Sequence, residues 1–261
     1  MLKLQKLFLI LILIHVTGKV NAQSRQVPNK PEFDLAPYHF GFLLGVNKMF
    51  FTINTFPGYQ QKIYYNNNSQ QSLPDQNVDS AYLFNLEATP TFGFVIGIVS
   101  NLRLGKYFDL RFIPSLTFGE RNLDYTIKSY YDTPEPNMLY VTKNIQSTFV
   151  EFPLMVRFKG KRIHNAKPYV LAGGKWAIDL ASNAKKKREN QNAFVFINRK
   201  DFYATGGVGF DFYTAFFKLG TELSMSYGIF DILKHDNTIY TEAVDRMSSK
   251  IFQFSLTFEG N

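Results

Sequence analysis

Residues 93–121 alternate between apolar and small or polar side chains in steps of two. Phe94, Ile96, Ile98, Leu102 and Leu104 share one parity, interrupted at Ser100, while Gly93, Val95, Gly97, Val99, Asn101 and Arg103 share the other. After Gly105-Lys106-Tyr107 the alternation resumes, with Phe108, Leu110, Phe112, Leu116 and Phe118 opposite Asp109, Arg111, Ser115 and Thr117. A period of two predicts strand, because successive side chains point to opposite faces of a sheet. Two such runs around a short glycine-containing break predict a β-hairpin. Each run has about ten to twelve residues, long for a soluble strand and suited to a tilted strand crossing a bilayer.

The rest of the chain repeats this unit. A strand over 38–51 precedes the hairpin, with Phe40, Phe42, Leu44 and Val46 on one face. Further strands are predicted over 148–159, 168–180, 201–213, 216–230 and 250–259. The last sets Phe252, Phe254, Leu256 and Phe258 against Gln253, Ser255, Thr257 and Glu259. The connections alternate in length. Long polar excursions cover 52–88, 122–146, 181–200 and 231–249, and tight turns fall at 105–107, 160–167 and 214–215. Long loops at one end and tight turns at the other are the layout of an outer-membrane barrel. The predicted fold is therefore all-β, an eight-stranded antiparallel up-and-down transmembrane β-barrel with both termini at the tight-turn, periplasmic end. Eight strands leave a lumen just wide enough for side chains to fill. Pro114 and Pro153 fall inside strands, where a closed barrel has no free edge to hide a missing donor. A bulge or kink is expected at each, with a one-residue slip of the faces as its consequence.

The N-terminus adds an address. Lys3 and Lys6 precede an apolar run from Leu7 to Val16 that is too short to span a membrane, and Val20-Asn21-Ala22 places small residues before a cleavage point. Residues 1–22 read as a secretory signal peptide, 23–37 as an extended periplasmic leader with three prolines, and 38–261 as the barrel. Removing Lys3, Lys6 and Lys19 with the signal lowers the formal charge from +8 to +5. The remainder is a modest excess that suits anionic lipid headgroups or polyanions. With no Cys, disulfides contribute nothing. The 27 Phe and 15 Tyr suit strands and membrane–water interfaces. No other apolar run reaches helical spanning length, so entry into a bilayer requires a closed barrel.

A soluble lipocalin-type barrel has the same strand count but puts its apolar face inside. Here the polar face carries Arg103, Asp109, Arg111, Glu151, Arg157, Asp211, Lys218 and Glu222, mixed in sign and interspersed with Gly. Such a set neutralises itself inside a narrow lumen, while the Phe-rich face meets lipid. These eight residues form the candidate lumen charge network. The plain reading is that they pair and plug the barrel; the functional one is a gated path or ligand contact.

Several segments resemble the PorT/SprT-type outer-membrane barrels of Bacteroidota. They are Gly97-Ile98-Val99-Ser100-Asn101-Leu102-Arg103 followed by the 107–114 stretch YFDLRFIP, the triplet Arg121-Asn122-Leu123, the strand Phe149-Val150-Glu151-Phe152-Pro153-Leu154, Lys167-Pro168-Tyr169-Val170-Leu171-Ala172-Gly173, and Gly209-Phe210-Asp211-Phe212-Tyr213. The barrel pattern is shared by a large superfamily; the combination of NLR, YFDLRF, P and RNL is more specific to the PorT type. The resemblance implies a non-catalytic component of the type IX secretion system, which exports cargo with a C-terminal sorting domain and supports gliding in motile species. The partners it implies are outer-membrane lipid and other type IX components.

Other motifs carry less. Lys185, Lys186, Lys187 and Arg188 form a basic run of the kind that binds nucleic acid. In an exported barrel they read as an outer-loop basic patch that is solvated or meets anionic headgroups or a partner, and no nucleic-acid partner is expected. Gly206-Gly207-Val208-Gly209 lies mid-strand with no helix after it, so it reads as small lumen residues, and Gly173-Gly174-Lys175 lacks the Ser or Thr of a phosphate loop. Asp79-Ser80-Ala81 is a weak match to an O-glycosylation site. The four His have no metal-ligand spacing. His235 with Ser248 or Ser249 is the nearest thing to a lipid-modifying pair, but nothing in the pattern orients the base. No catalytic residue, metal or cofactor is expected.

Overall fold

A computed structural model describes residues 29–65, 78–131, 135–181, 195–236 and 238–260. The expected signal peptide, the first residues of the leader and the Lys185 to Arg188 patch lie outside the described residues. Ten strands form one antiparallel sheet: β1 (Tyr38–Thr55), β2 (Tyr64–Tyr65), β3 (Ser80–Arg103), β4 (Phe108–Phe112), β5 (Ser115–Tyr130), β6 (Asn137–Lys159), β7 (Ala166–Asp179), β8 (Lys200–Tyr213), β9 (Lys218–Gly228) and β10 (Val244–Gly260). β4 and β5 are one ribbon broken at Ile113-Pro114, and β2 is a two-residue addition to the edge of β3. The remaining order is a meander, and β1 pairs with both β10 and β3. The sheet closes as an eight-ribbon barrel, as the alternation predicts.

Parity holds throughout the ring. Asp109, Arg111, Ser115 and Thr117 are all buried, on both sides of the break at Pro114. Ser100↔Phe112 and Gly97↔Ser115 keep one register on β3, and Phe112↔Leu154 and Ser115↔Glu151 keep one register on β6. Pro114 interrupts the ribbon without adding a residue, so the expected slip does not occur. Pro153 pairs in unbroken register with Lys175. The two prolines lie on adjacent ribbons at nearly the same height, so both missing donors fall in one patch. Their carbonyls still accept, from Ile98 N at 3.0 Å and Ile113 N at 3.3 Å. The register shifts fall elsewhere, at Leu83/Asn85 and Pro90/Phe94 in β3 and at Asn54/Thr55 in β1. An extra residue on one strand bends it and sharpens its twist.

Three of the four long excursions are shorter than the polarity of the sequence suggests. Residues 80–88 and 122–130 are strand, and 137–147 extend β6, so most of the second excursion is the paired arms of a long β5–β6 hairpin. β1 leaves β3 after Met49↔Thr91, and β7 leaves β6 after Phe149↔Asp179. Beyond that height β3, β5 and β6 continue as a three-stranded projection. Leu83, Leu123, Tyr125 and Ile127 on its inner face pack with Ile232, Leu233, Ile239 and Tyr240 from the 229–243 connection. This apolar cap closes the outer end. Its residues are scattered among polar neighbours, which hid the packing from a reading by polarity alone.

The outward positions carry the apolar load. Phe40, Phe42, Leu44 and Val46 on β1, Phe94, Ile96 and Ile98 on β3, and Phe202, Val208, Phe210 and Phe212 on β8 are exposed. From Phe202 to Phe212 β8 takes ten residue steps. At about 3.3 Å per step and about 40° of tilt these span roughly 25 Å, the usual height of a lipid-facing band. An uninterrupted apolar surface of this extent does not face water in a monomer. Aromatic pairs rim both ends, with Phe152, Trp176 and Phe202 stacked in a row at 5.6 and 6.3 Å above and Phe108–Phe158 and Phe217–Phe258 at 5.2 and 5.7 Å below.

Candidate functional site: the charged lumen

The lumen is filled in layers. At the tight-turn end Arg157 bonds Asp211 at 2.7 Å, Lys218 bonds Glu259 at 2.7 Å and lies 3.6 Å from Asp211, and Lys159 bonds Asp109 at 2.5 Å. Arg111, with 0% of its side chain exposed, reaches Glu222 at 3.4 Å and also pairs with Glu259. Tyr169 lies under the Arg157 guanidinium at 3.7 Å and donates its hydroxyl to Glu222 at 3.1 Å. Above this layer Leu43, Val95, Val99 and Ile113 pack on one side, and Met155 and Leu171 on the other. A second polar layer follows. Lys175 bonds Glu151 at 2.9 Å, and Arg121 donates to Ser147, Ser249 and Asp179, with its guanidinium over Phe51 and Phe149. Buried charges survive only when paired and hydrogen-bonded, and alternate inward positions on eight ribbons bring the partners together.

Of the eight residues read from the sequence, Asp109, Arg111, Arg157, Asp211, Lys218 and Glu222 meet in the lower layer, and Glu151 belongs to the upper one. Arg103 does not join them. It sits at the end of β3, where its guanidinium donates to the carbonyls of Gly105 at 3.2 Å and Leu35 at 2.9 Å. The correction has a simple cause: parity assigns a face but not a height, and at the last strand residue the inward face is already the mouth. Lys159, Glu259, Lys175, Arg121 and Asp179 complete the network. Lys159 and Glu259 continue the inward parity of Arg157 and Thr257, so the signal was present. Arg121 and Asp179 lie at predicted strand ends, where parity is weakest.

The leader supplies a further partner. Residues 33–35 form a short 3-10 turn that turns Phe33 into the barrel mouth, where it is buried and stacks on His39 at 3.9 Å. Lys218 lies 5.0 Å from the centre of the Phe33 ring. Asp34 accepts from Tyr213 Oη at 2.7 Å and Lys167 Nζ at 3.0 Å. Burial alone would raise the Asp34 carboxyl; the Tyr213 hydroxyl and the Lys167 ammonium outweigh it and hold it below its ordinary value. With Asp34 counted, the lower layer balances Arg111, Arg157, Lys159, Lys167 and Lys218 against Asp34, Asp109, Asp211, Glu222 and Glu259.

Gly209 makes room for this layer. A Cβ there would lie 2.4 Å from both Tyr169 Cζ and the Thr221 carbonyl. Gly209→Ala is expected to push the ring off Arg157 and to destabilise the barrel by about 1–3 kcal/mol, the range for overpacking a close-packed site. Urea titration of the folded protein in detergent measures it.

The remaining candidates do not assemble. His235 Nε2 lies 3.0 Å from Asp231, with both side chains partly exposed at the surface of the 229–243 connection. Ser249 instead accepts from Arg121, and Ser248 lies 3.4 Å from the Tyr227 hydroxyl. Among the described residues no group of three or more His, Asp or Glu is arranged to hold a metal, and no helix is long and apolar enough to cross a membrane.

A closed antiparallel barrel with an apolar outer band, aromatic rims and an ion-paired interior defines an integral membrane β-barrel protein of the outer-membrane class. The family model described as "Outer membrane protein beta-barrel domain" matches residues 21–234, and the chain belongs to that family. Its place is the outer membrane. Solved structures similar to it include the outer membrane protein OprG from Pseudomonas aeruginosa, at 11% identity over 85% of this chain and 93% of that one with a TM-score of 0.42. Another is Neisserial surface protein A, at 12% identity over 85% of this chain and 97% of that one with a TM-score of 0.40. No curated protein matches.

Proposed function

We propose that this outer-membrane barrel is a non-catalytic component of the type IX protein secretion system, acting as a scaffold and not as a conduit. The assignment to that system rests on the PorT-type combination around 101–114 and 121–123. The scaffold role rests on one observation, the lumen: two ion-paired layers, an apolar layer between them and Phe33 in the mouth leave the working surfaces on the outside. Its partners are other type IX components, met through periplasmic turns, outer projection or lipid-facing wall. Deleting the gene is expected to abolish secretion of cargo with a C-terminal sorting domain, and gliding where the strain is motile. Normal secretion would remove this reading. A mild-detergent pull-down of the native protein with mass spectrometry identifies the partner.

A second reading is a free-standing barrel whose outer projection binds external ligands. The feature in its favour is the β6 edge over 137–147, which among the described residues pairs with β5 on one side only. An unpaired edge is a template for strand addition. Binding of intact cells to a surface ligand, lost on deletion while secretion stays normal, would select this reading.

A further inference from the structure

A groove of about 500 Å³ crosses the outer wall over β8, β9, β10 and β1. Its walls are lipid-facing side chains, among them Val208, Leu223, Phe252 and Phe254. Its floor is low because Gly206, on the outward face of β8, carries no side chain. Ligand pockets have this size and apolar character.

The outer rim of the groove is cationic. Lys48 borders it directly. Phe50↔Lys250 and Lys48↔Phe252 are neighbouring pairs, so Lys48 and Lys250 are diagonal neighbours on one face of β1 and β10. Such neighbours lie about 7–8 Å apart, within reach of one anionic group. The Lys48 ammonium lies 5.5 Å from the centre of the Phe92 ring, and that of Lys250 lies 5.7 and 5.8 Å from the rings of Phe50 and Phe252. Among the described residues neither lysine makes an ion pair. Both occupy the first polar position beyond the apolar band on their strands, where a headgroup phosphate sits and where a long side chain snorkels. Lys200 holds the same place on β8. Across the ring the outward positions of β5 at this height are Glu120 and Asn122, and β6 carries Thr148 and Gln146. Cations and groove therefore share one sector.

We propose that this sector binds a phosphorylated glycolipid of the outer leaflet, with one acyl chain in the groove and a sugar phosphate against Lys48 and Lys250. The chemistry is complementary at both ends. An apolar chain replaces lipid packing over the low glycine floor, and an anion replaces water at two cations that lack a carboxylate.

Native mass spectrometry of the folded full-length protein in mild detergent tests it, with diphosphorylated lipid A, phosphatidylglycerol and phosphatidylethanolamine as separate probes. Wild type is expected to retain lipid A in preference to both phospholipids. The Lys48→Gln/Lys250→Gln double variant is expected to retain it roughly 30-fold less well, from the usual attraction of two lysines to an anionic surface. Gly206→Leu fills the groove. A Cβ there has only the Leu171 carbonyl within 4 Å, at 3.9 Å, so the barrel accepts it. It is expected to lower retention with an unchanged gel mobility shift. Lys128→Gln, on β5, serves as the control and leaves retention unchanged. Equal retention of phosphatidylethanolamine would mean non-specific annular lipid and would overturn the proposal. Equal retention of phosphatidylglycerol would overturn the glycolipid assignment. Full retention by the lysine double variant overturns the site whether or not Gly206→Leu folds.

Discussion

Arg111→Ala is expected to cost the folded barrel about 3–5 kcal/mol, because it removes one member of a buried ionic set and leaves the others charged. The guanidinium is fully buried and lies between Glu222 and Glu259. Glu259 keeps Lys218 at 2.7 Å. Among the described residues Glu222 keeps the hydrogen bond from the Tyr169 hydroxyl alone, so it bears most of the loss. Two further variants separate charge from volume. Arg111→Lys retains the charge but loses the planar fork that reaches two carboxylates, and is expected to fall between wild type and alanine. Adding Glu222→Gln to Arg111→Ala removes the stranded charge and is expected to restore part of the stability, giving a non-zero coupling in a double-mutant cycle. An exposed pair supplies the contrast. Lys62 and Glu242 sit above the membrane with side chains 50% and 28% exposed, and Lys62→Ala is expected to change stability by about 0–1 kcal/mol. Urea unfolding in lipid vesicles, read by the folded and unfolded bands on a gel, measures these four and the single Glu222→Gln variant that completes the cycle. An Arg111→Ala midpoint equal to wild type would mean that water, and not a packed ionic layer, fills the lumen.

The ring itself was legible because a bilayer imposes the strictest alternation a sequence can show. One face must satisfy lipid and the other a narrow interior, so Phe252, Phe254, Leu256 and Phe258 against Gln253, Ser255, Thr257 and Glu259 leave little room for another fold. Seven of the eight network residues follow from that parity. What was not legible lies where the bilayer stops imposing it. The projection of β3, β5 and β6 stands beyond the membrane, where outward positions such as Asp124, Thr142 and Asn144 face water. Polarity there reads as loop although backbone pairing continues. The apolar cap draws Val195 from one connection and Ile232 and Ile239 from another, and no local period links them. In the leader Pro28, Pro31 and Pro37 argue against helix and for an extended chain. They do not argue against a single turn, and one turn is enough to aim Phe33 inward. Ion pairs such as Arg121 with Asp179 join residues 58 positions apart, and only the register of β5, β6 and β7 brings them together.

Phe33→Ala is expected to release the leader from the barrel mouth at a cost of about 3 kcal/mol, the low end for a buried Phe because one side of the site opens to water. The ring separates the Lys218, Glu259 and Asp211 cluster from the periplasm and stacks on His39. Hydrogen exchange is the direct readout. The amides of Phe33 and Leu35 donate to Lys30 and Glu32 carbonyls within the turn, and both should lose protection in the variant. Acid should act on the same contact. The Asp34 carboxyl lies below its ordinary value when docked, so its contribution is fully present above an unfolded pKa of about 3.9 and is lost as pH falls through the lower, docked value. Leader protection is therefore expected to be flat from neutral pH down to about pH 5 and to decline below about pH 4, and Asp34→Asn should remove that decline. Release of the leader should not open a channel. Leu43, Val95, Val99 and Ile113, with the Lys175–Glu151 and Arg121–Asp179 pairs above them, still fill the lumen. Phe33→Ala in a planar bilayer is thus expected to give no more current than wild type. Discrete ion conductance in the variant alone would make the leader a gate and the barrel a conduit, against the scaffold role argued from its filled interior.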